Sequence, residues 1–301
     1  MGHGHHHHDC AHGHAHHRGN RGLLLATLLT LGFAGVEALA GAWSGSLALL
    51  SDAGHMVNDG VALALAALAA WIARRPPSHR HTYGWGRAEV LAALINGLAM
   101  LALVVAILVE AVERFQNPAP VAGPMVMAVA VVGLLVNALV AWMLSRDESS
   151  LNTRAALLHV LGDLLGSVAA IASGAIVYFT GWRQADPLLA AGIALLISVS
   201  SLRLLREALA PLMEAAPPHI SALEVSTAME QVGGVSGVYD LHVWTVGDGE
   251  VMLSAHLQVA DLNAWPATLA ELRRVLKQRW GIAHVTLQPE TGPIEPLHRI
   301  S

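Results

Sequence analysis

The sequence predicts a polytopic α-helical membrane protein, with six transmembrane helices followed by a small C-terminal α+β domain. Three observations lead there. Hydrophobic residues make up 54% of the 301-residue chain and charged residues only 13%, against about a quarter charged in an ordinary soluble domain. Six apolar segments each approach the ~20 residues that a hydrocarbon core requires. After residue 211 the composition turns ordinary, and strand and helix patterns replace the long apolar runs.

The spans are expected at 22–43, 47–73, 88–110, 121–145, 151–178 and 186–210. Glycine and other small residues recur in them, as they do where membrane helices pack closely. One set of loops and tails beside the spans holds Arg18, Arg21, Arg74, Arg75, Arg80, Arg87, Arg146, Arg154, Arg203 and Arg206, and the other set holds only Arg114 and Arg183. By the positive-inside rule both termini are expected in the cytoplasm. The expected division is therefore a tail at 1–21, a transmembrane domain at 22–210 and a cytoplasmic α+β domain at 211–301. In that last part "VYDLHVWTV", "GDGE" and "VMLSAHLQVA" read as a hairpin. Leu269, Leu272, Val275 and Leu276 lie at helical spacing, and "HVTLQPE" reads as a further strand. Cys10 is the only cysteine, which excludes a disulfide framework and a cysteine-based zinc finger. No cleavable signal peptide is expected, because the first apolar run is of spanning length. The formal net charge of −5 gives no reason to expect a nucleic-acid partner.

The second span contains "SDAGHMVNDG", an unusual cargo for lipid. His55 and Asp59 are four apart and share one helix face. The fifth span repeats the spacing in "LLHVLGDLLG" with His159 and Asp163. Asp59 and Asp163 each lie twelve residues into their span, about 18 Å at ~1.5 Å per residue, which is near the middle of a ~30 Å core. Two antiparallel helices can thus bring two imidazoles and two carboxylates to one depth. That donor set suits a tetrahedral Zn²⁺, with the two carboxylates balancing its charge. Without metal the same lone pairs take protons, so entry of one favours release of the other. Lone polar residues in spans often serve as helix–helix hydrogen bonds, but two matched pairs at one depth point to function. Asp52 reads equally as an entrance carboxylate and as a helix-end residue facing water. Glu37 and Glu110 read as helix-end residues, and Asn96 and Asn137 as helix–helix contacts.

"MGHGHHHHDCAHGHAHH" holds nine histidines in seventeen residues. Such a tract cannot form a core and reads as a flexible metal-capturing tail.

Taken together, "SLALLSDAGHMVNDG", "HTYGWGRAEVLAALIN", "LHVLGD" and "DLHVWTV…LSAHLQV" resemble the cation diffusion facilitator family over nearly the whole chain, and most of all its zinc-transporting branch. The resemblance implies a homodimeric, proton-coupled exporter of Zn²⁺ or related divalent ions, set in a lipid bilayer that is expected to be a bacterial inner membrane. It implies His55, Asp59, His159 and Asp163 as the transport site, and a metallochaperone-like fold for the C-terminal domain. It also makes His242, His256, His284 and Glu290 candidate ligands for Zn²⁺ there. A two-residue Asp248-Gly249 turn would leave His242 and His256 on opposite faces, and a three-residue Gly247-Asp248-Gly249 turn would return them to one face. Some family members hold a second ion between helices 2 and 3 on an Asp and two His. In this sequence Trp85 stands at the second His position, leaving His79 and His81 as weak candidates beside the plainer reading of a solvated basic loop. Two other function classes are an intramembrane zinc enzyme and a membrane-anchored metal sensor. The first lacks a His-Glu-x-x-His pattern and an open coordination position, and the second has no use for ligands at the membrane midplane.

Overall fold

The computed structural model describes residues 16–145, 151–246 and 250–292. Within these the chain runs α1 (His16–Ser44), α2 (Leu47–Ala73), α3 (Arg87–Gln116), α4 (Gly123–Ser145), α5 (Leu151–Thr180), α6 (Ala185–Leu212), α7 (Ala222–Glu230), β1 (Val235–Val246), β2 (Glu250–Val259), a 3₁₀ turn (Leu262–Ala264), α8 (Trp265–Trp280) and β3 (His284–Glu290). The first six helices are each long and apolar enough to cross a membrane. Helices α1 and α3 extend beyond the apolar segments expected at 22–43 and 88–110, because a helix continues on its backbone hydrogen bonds whether or not its side chains are apolar.

Large apolar side chains such as Leu63, Val109, Leu135, Leu165 and Val199 are exposed on these helices. Such extensive apolar exposure suits lipid and not water. The faces turned inward are small. Ala48, Ala130, Ala170, Ala190 and Ala194 are fully buried in one cluster. Where α4 meets α5, a Cβ on Gly123 would fall 2.7 Å from the Gly174 carbonyl oxygen, and one on Gly174 would fall 2.9 Å from that of Gly123. The two backbones approach this closely only because neither position has a side chain.

By its contacts the chain divides into two compact units, one of Met1–Val61 with Ala99–Ser200 and one of Ala62–Leu98 with Ser201–Ser301. In the second, β1 and β2 pair antiparallel and β3 adds in parallel beside β2. Val225 and Met229 of α7 and Leu272 and Leu276 of α8 pack on Leu241, Val243, Leu253 and Leu257 of the sheet. Ser221 caps α7 by accepting from the Glu224 amide, and α8 ends on Gly281 at φ 70°, a left-handed conformation suited to glycine. On the solvent side of α8 the Arg274 guanidinium holds the Glu271 carboxyl below the usual range through a hydrogen bond.

Leu272 is wholly buried, so Leu272→Ala should destabilise this domain by about 3 kcal/mol. Hydrogen exchange on the full-length protein in detergent should show faster exchange in α8 and β2, with α2 and α5 unchanged.

Candidate metal centre

Helix α2 is held on its back by α1. Met56 is buried against Phe33 and Ala34, and Gly60 leaves room for Leu31. This turns His55 and Asp59 to another face. There His55 Nε2 lies 3.4 Å from Asp59 Oδ2 and 3.9 Å from Asp163 Oδ1 of α5. The Asp163 side chain is 1% exposed, against 17% for His55 and 24% for Asp59, so the centre is open on the α2 side and closed on the α5 side. His159 stands on α5 one turn before Asp163, but its side chain lies outside the described residues. Among the described residues no three His, Cys, Asp or Glu side chains are gathered tightly enough to hold an ion. What the structure brings together is an imidazole nitrogen and two carboxylates from two helices, a donor set suited to Zn²⁺.

One turn nearer the N-terminus of α2, Asp52 is 2% exposed. Its Oδ1 would lie 2.6 Å from a Cβ on Gly166 of α5. Glu37 of α1 is 1% exposed, which corrects the expectation of a helix-end residue facing water. It sits in a notch at Gly133 of α4, where a Cβ would come 2.9 Å from its Oε1. Glu110 instead pairs with Arg114 at 2.7 Å, and Asn137 of α4 donates to Ser167 of α5 at 3.4 Å, a helix–helix contact as expected.

A further residue, Asp186 in the first turn of α6, is fully buried. Its Oδ2 accepts the Leu47 amide at 2.5 Å, and its Oδ1 accepts the Ser46 hydroxyl at 2.6 Å and the Ser173 hydroxyl of α5 at 2.8 Å. One carboxylate thus caps α2, favourably placed at a helix N-terminus, and ties it to α5. The same corner is held by Arg114, whose Nη1 donates to the Gly45 carbonyl at 2.6 Å. Both helices that carry expected ligands are therefore fixed in relation to each other at one end.

The family match follows this layout. Residues 23–213 match the cation efflux transmembrane domain, and residues 217–292 match the cytoplasmic domain of cation efflux proteins. The chain belongs to the cation efflux family. It is 44% identical to a zinc transporter ZitB of Shigella flexneri, over 98% of this chain and 93% of that protein. It is also 44% identical to ZitB of Escherichia coli K12, over 96% and 92%. Identity to a cadmium, cobalt and zinc/H(+)-K(+) antiporter of Bacillus subtilis is 37%, over 89% and 88%. Family membership makes the chain an integral membrane transporter of metal cations and not an enzyme.

In this cation efflux protein, β1 and β2 resume pairing at Val246↔Glu250, so the connection has three residues. His242 pairs with Ser254 and His256 lies two further along β2, which sets both histidines on one sheet face. His284 and Glu290 share it through the parallel register of β3. Only His256 and Glu290 meet, Nδ1 to Oε1 at 2.6 Å. In the loop between α2 and α3, Trp85 stacks on His81 with ring centroids 4.0 Å apart, while His79 is exposed. His81 and His242 line one cavity of about 970 Å³, with Trp85 and Trp244 beside them. Asp186 was not legible in the sequence as a partner of α2. Asp before Pro187 signals a helix start, but its partners at Ser46 and Leu47 are about 140 residues away.

Asp186→Ala removes three hydrogen bonds to a charged acceptor and should cost on the order of 3 kcal/mol or more. Thermal unfolding in detergent should show the loss, and Asp186→Asn, which keeps an acceptor for both hydroxyls, should lose less.

Proposed function

We propose that the protein exports Zn²⁺ from the cytoplasm in exchange for protons, by alternating access at a site formed by His55, Asp59, His159 and Asp163. The observation that carries this reading is the meeting of His55 and Asp163 across α2 and α5. Asp52 beside Gly166 and His55 beside Asp163 define an antiparallel register between the two helices. Followed one turn further along α2 and one turn back along α5, that register supports pairing position 159 with position 59. The four expected ligands then complete a mixed nitrogen and oxygen shell. Two aspartates neutralise the ion in a medium where an isolated charge is expensive. When the ion leaves, protons can take up the same lone pairs, which links the two flows.

The names of the relatives support zinc as cargo and proton exchange as the driving flow. Both termini lie in the cytoplasm in this reading, because the arginine-rich loops are on that side, and the membrane is a bacterial inner membrane. The cytoplasmic domain of 211–301 joins two chains as a homodimer and can take Zn²⁺ at the His256 and Glu290 pair. The tail of 1–21 raises the local metal concentration without shaping the site.

Asp59→Ala and Asp163→Ala each remove half the charge that offsets a divalent cation at membrane depth. Zinc uptake into sealed vesicles under an imposed pH gradient should fall to a small part of the wild-type flux in either variant. Substantial retained flux would refute the four-ligand site.

Deletion of residues 1–17 should leave transport measurable, with lower initial rates mainly at low zinc. Uptake titrated against zinc concentration checks this, and complete loss in a well-folded truncation would give the tail a larger role.

A further inference from the structure

The four expected ligands leave two buried acids unexplained. Glu37 and Asp52 are 1% and 2% exposed, yet Glu37 Oε2 and Asp52 Oδ2 meet no hydrogen-bond donor among the described residues. Space for them is built into the neighbouring helices. Gly133 of α4 makes the notch for Glu37, and Gly166 of α5 makes the notch for Asp52; a methyl group at either would press on a carboxylate oxygen. The charges that bear on Glu37 are those of Asp52 on α2 and Asp163 on α5, while α4 presents Gly133 there. Asp163 is also the charge that bears on Asp52.

A carboxylate this deeply buried, with one oxygen that meets no donor, is costly to hold as a bare anion, and several in one field are costlier still. The pair has to carry positive charge in some form. It contains no imidazole or thiolate, so it offers a softer divalent ion less than the neighbouring site does, whereas a proton needs only one oxygen. Asp52 is three residues before His55, and Gly166 is three after Asp163. This places Asp52 about 4.5 Å along the helix axis from the centre where the ion would bind, and Glu37 lies in the field of both Asp52 and Asp163.

We propose that Glu37 and Asp52 form a proton-holding pair, separate from the metal ligands, that gives up a proton when a divalent ion arrives at His55, Asp59 and Asp163. The step is an acid dissociation: the carboxyl O–H bond breaks, the proton passes to water, and the carboxylate left behind helps balance the ion. Metal and proton are then coupled by Coulomb repulsion across one turn, in addition to their competition for the same lone pairs. This inference rests on the transport-site reading given above.

The test is calorimetry of Zn²⁺ binding to the full-length protein in detergent, at one pH, in two buffers of different ionisation enthalpy. This counts the protons released per ion. Subtracting the Asp59→Ala protein removes binding at the tail and the cytoplasmic domain. Glu37→Gln and Asp52→Asn, each checked by its melting profile, should keep Asp59-dependent zinc binding and release about one proton fewer per ion. An unchanged proton count in both folded variants would overturn the proposal. So would loss of Asp59-dependent binding in Glu37→Gln, because that would make Glu37 a metal ligand. If wild type itself shows no Asp59-dependent binding, the transport-site reading fails first and this one falls with it.

Discussion

Charge inside a hydrocarbon slab has to be matched locally, because neither water nor mobile salt reaches it. This requirement organises the helices of the first unit. Asp163 is set against His55, Asp186 against an amide and two hydroxyls, and Arg114 against Glu110 and a backbone carbonyl. Apart from the Arg114–Glu110 pair within α3, each of these contacts joins residues distant in sequence. The apolar faces contribute little to this specificity, since lipid solvates leucine as well as a neighbouring helix does.

Glycine and alanine make such matching possible. Close packing of α4 on α5 at Gly123 and Gly174 brings the two backbones together, and Gly133 and Gly166 open notches for carboxylates. A larger residue at these points would push the helices apart and leave the acids facing gaps. The small residues in the spans therefore bear on chemistry as well as on packing, since they set how near an acid on one helix can come to the next.

The C-terminal domain obeys ordinary soluble rules. Its sheet has a buried face covered by α7 and α8 and an outer face that carries His242, His256, His284 and Glu290. A connection of odd length between β1 and β2 decided which face His242 and His256 share, because a strand alternates with period two. Composition could not choose between a two-residue and a three-residue turn, as Gly247, Asp248 and Gly249 suit either.

By itself the sequence determined that the chain spans a membrane six times and ends in an α+β domain, because apolar length and periodicity are local properties read directly from composition. It also contained the two His-x-x-x-Asp pairs, whose spacing puts each pair on one helix face. The tertiary structure decided what each remaining acid meets. Glu37 lies in an apolar run, Asp52 beside Ser51 and His55, and Asp186 after Arg183 and Gln184, and nothing local in these stretches says that all three are buried. What each meets comes from elsewhere in the chain: notches at Gly133 and Gly166 for Glu37 and Asp52, and the hydroxyls of Ser46 and Ser173 for Asp186. Helix rotation and packing set those contacts, and both are long-range properties that no window of sequence contains.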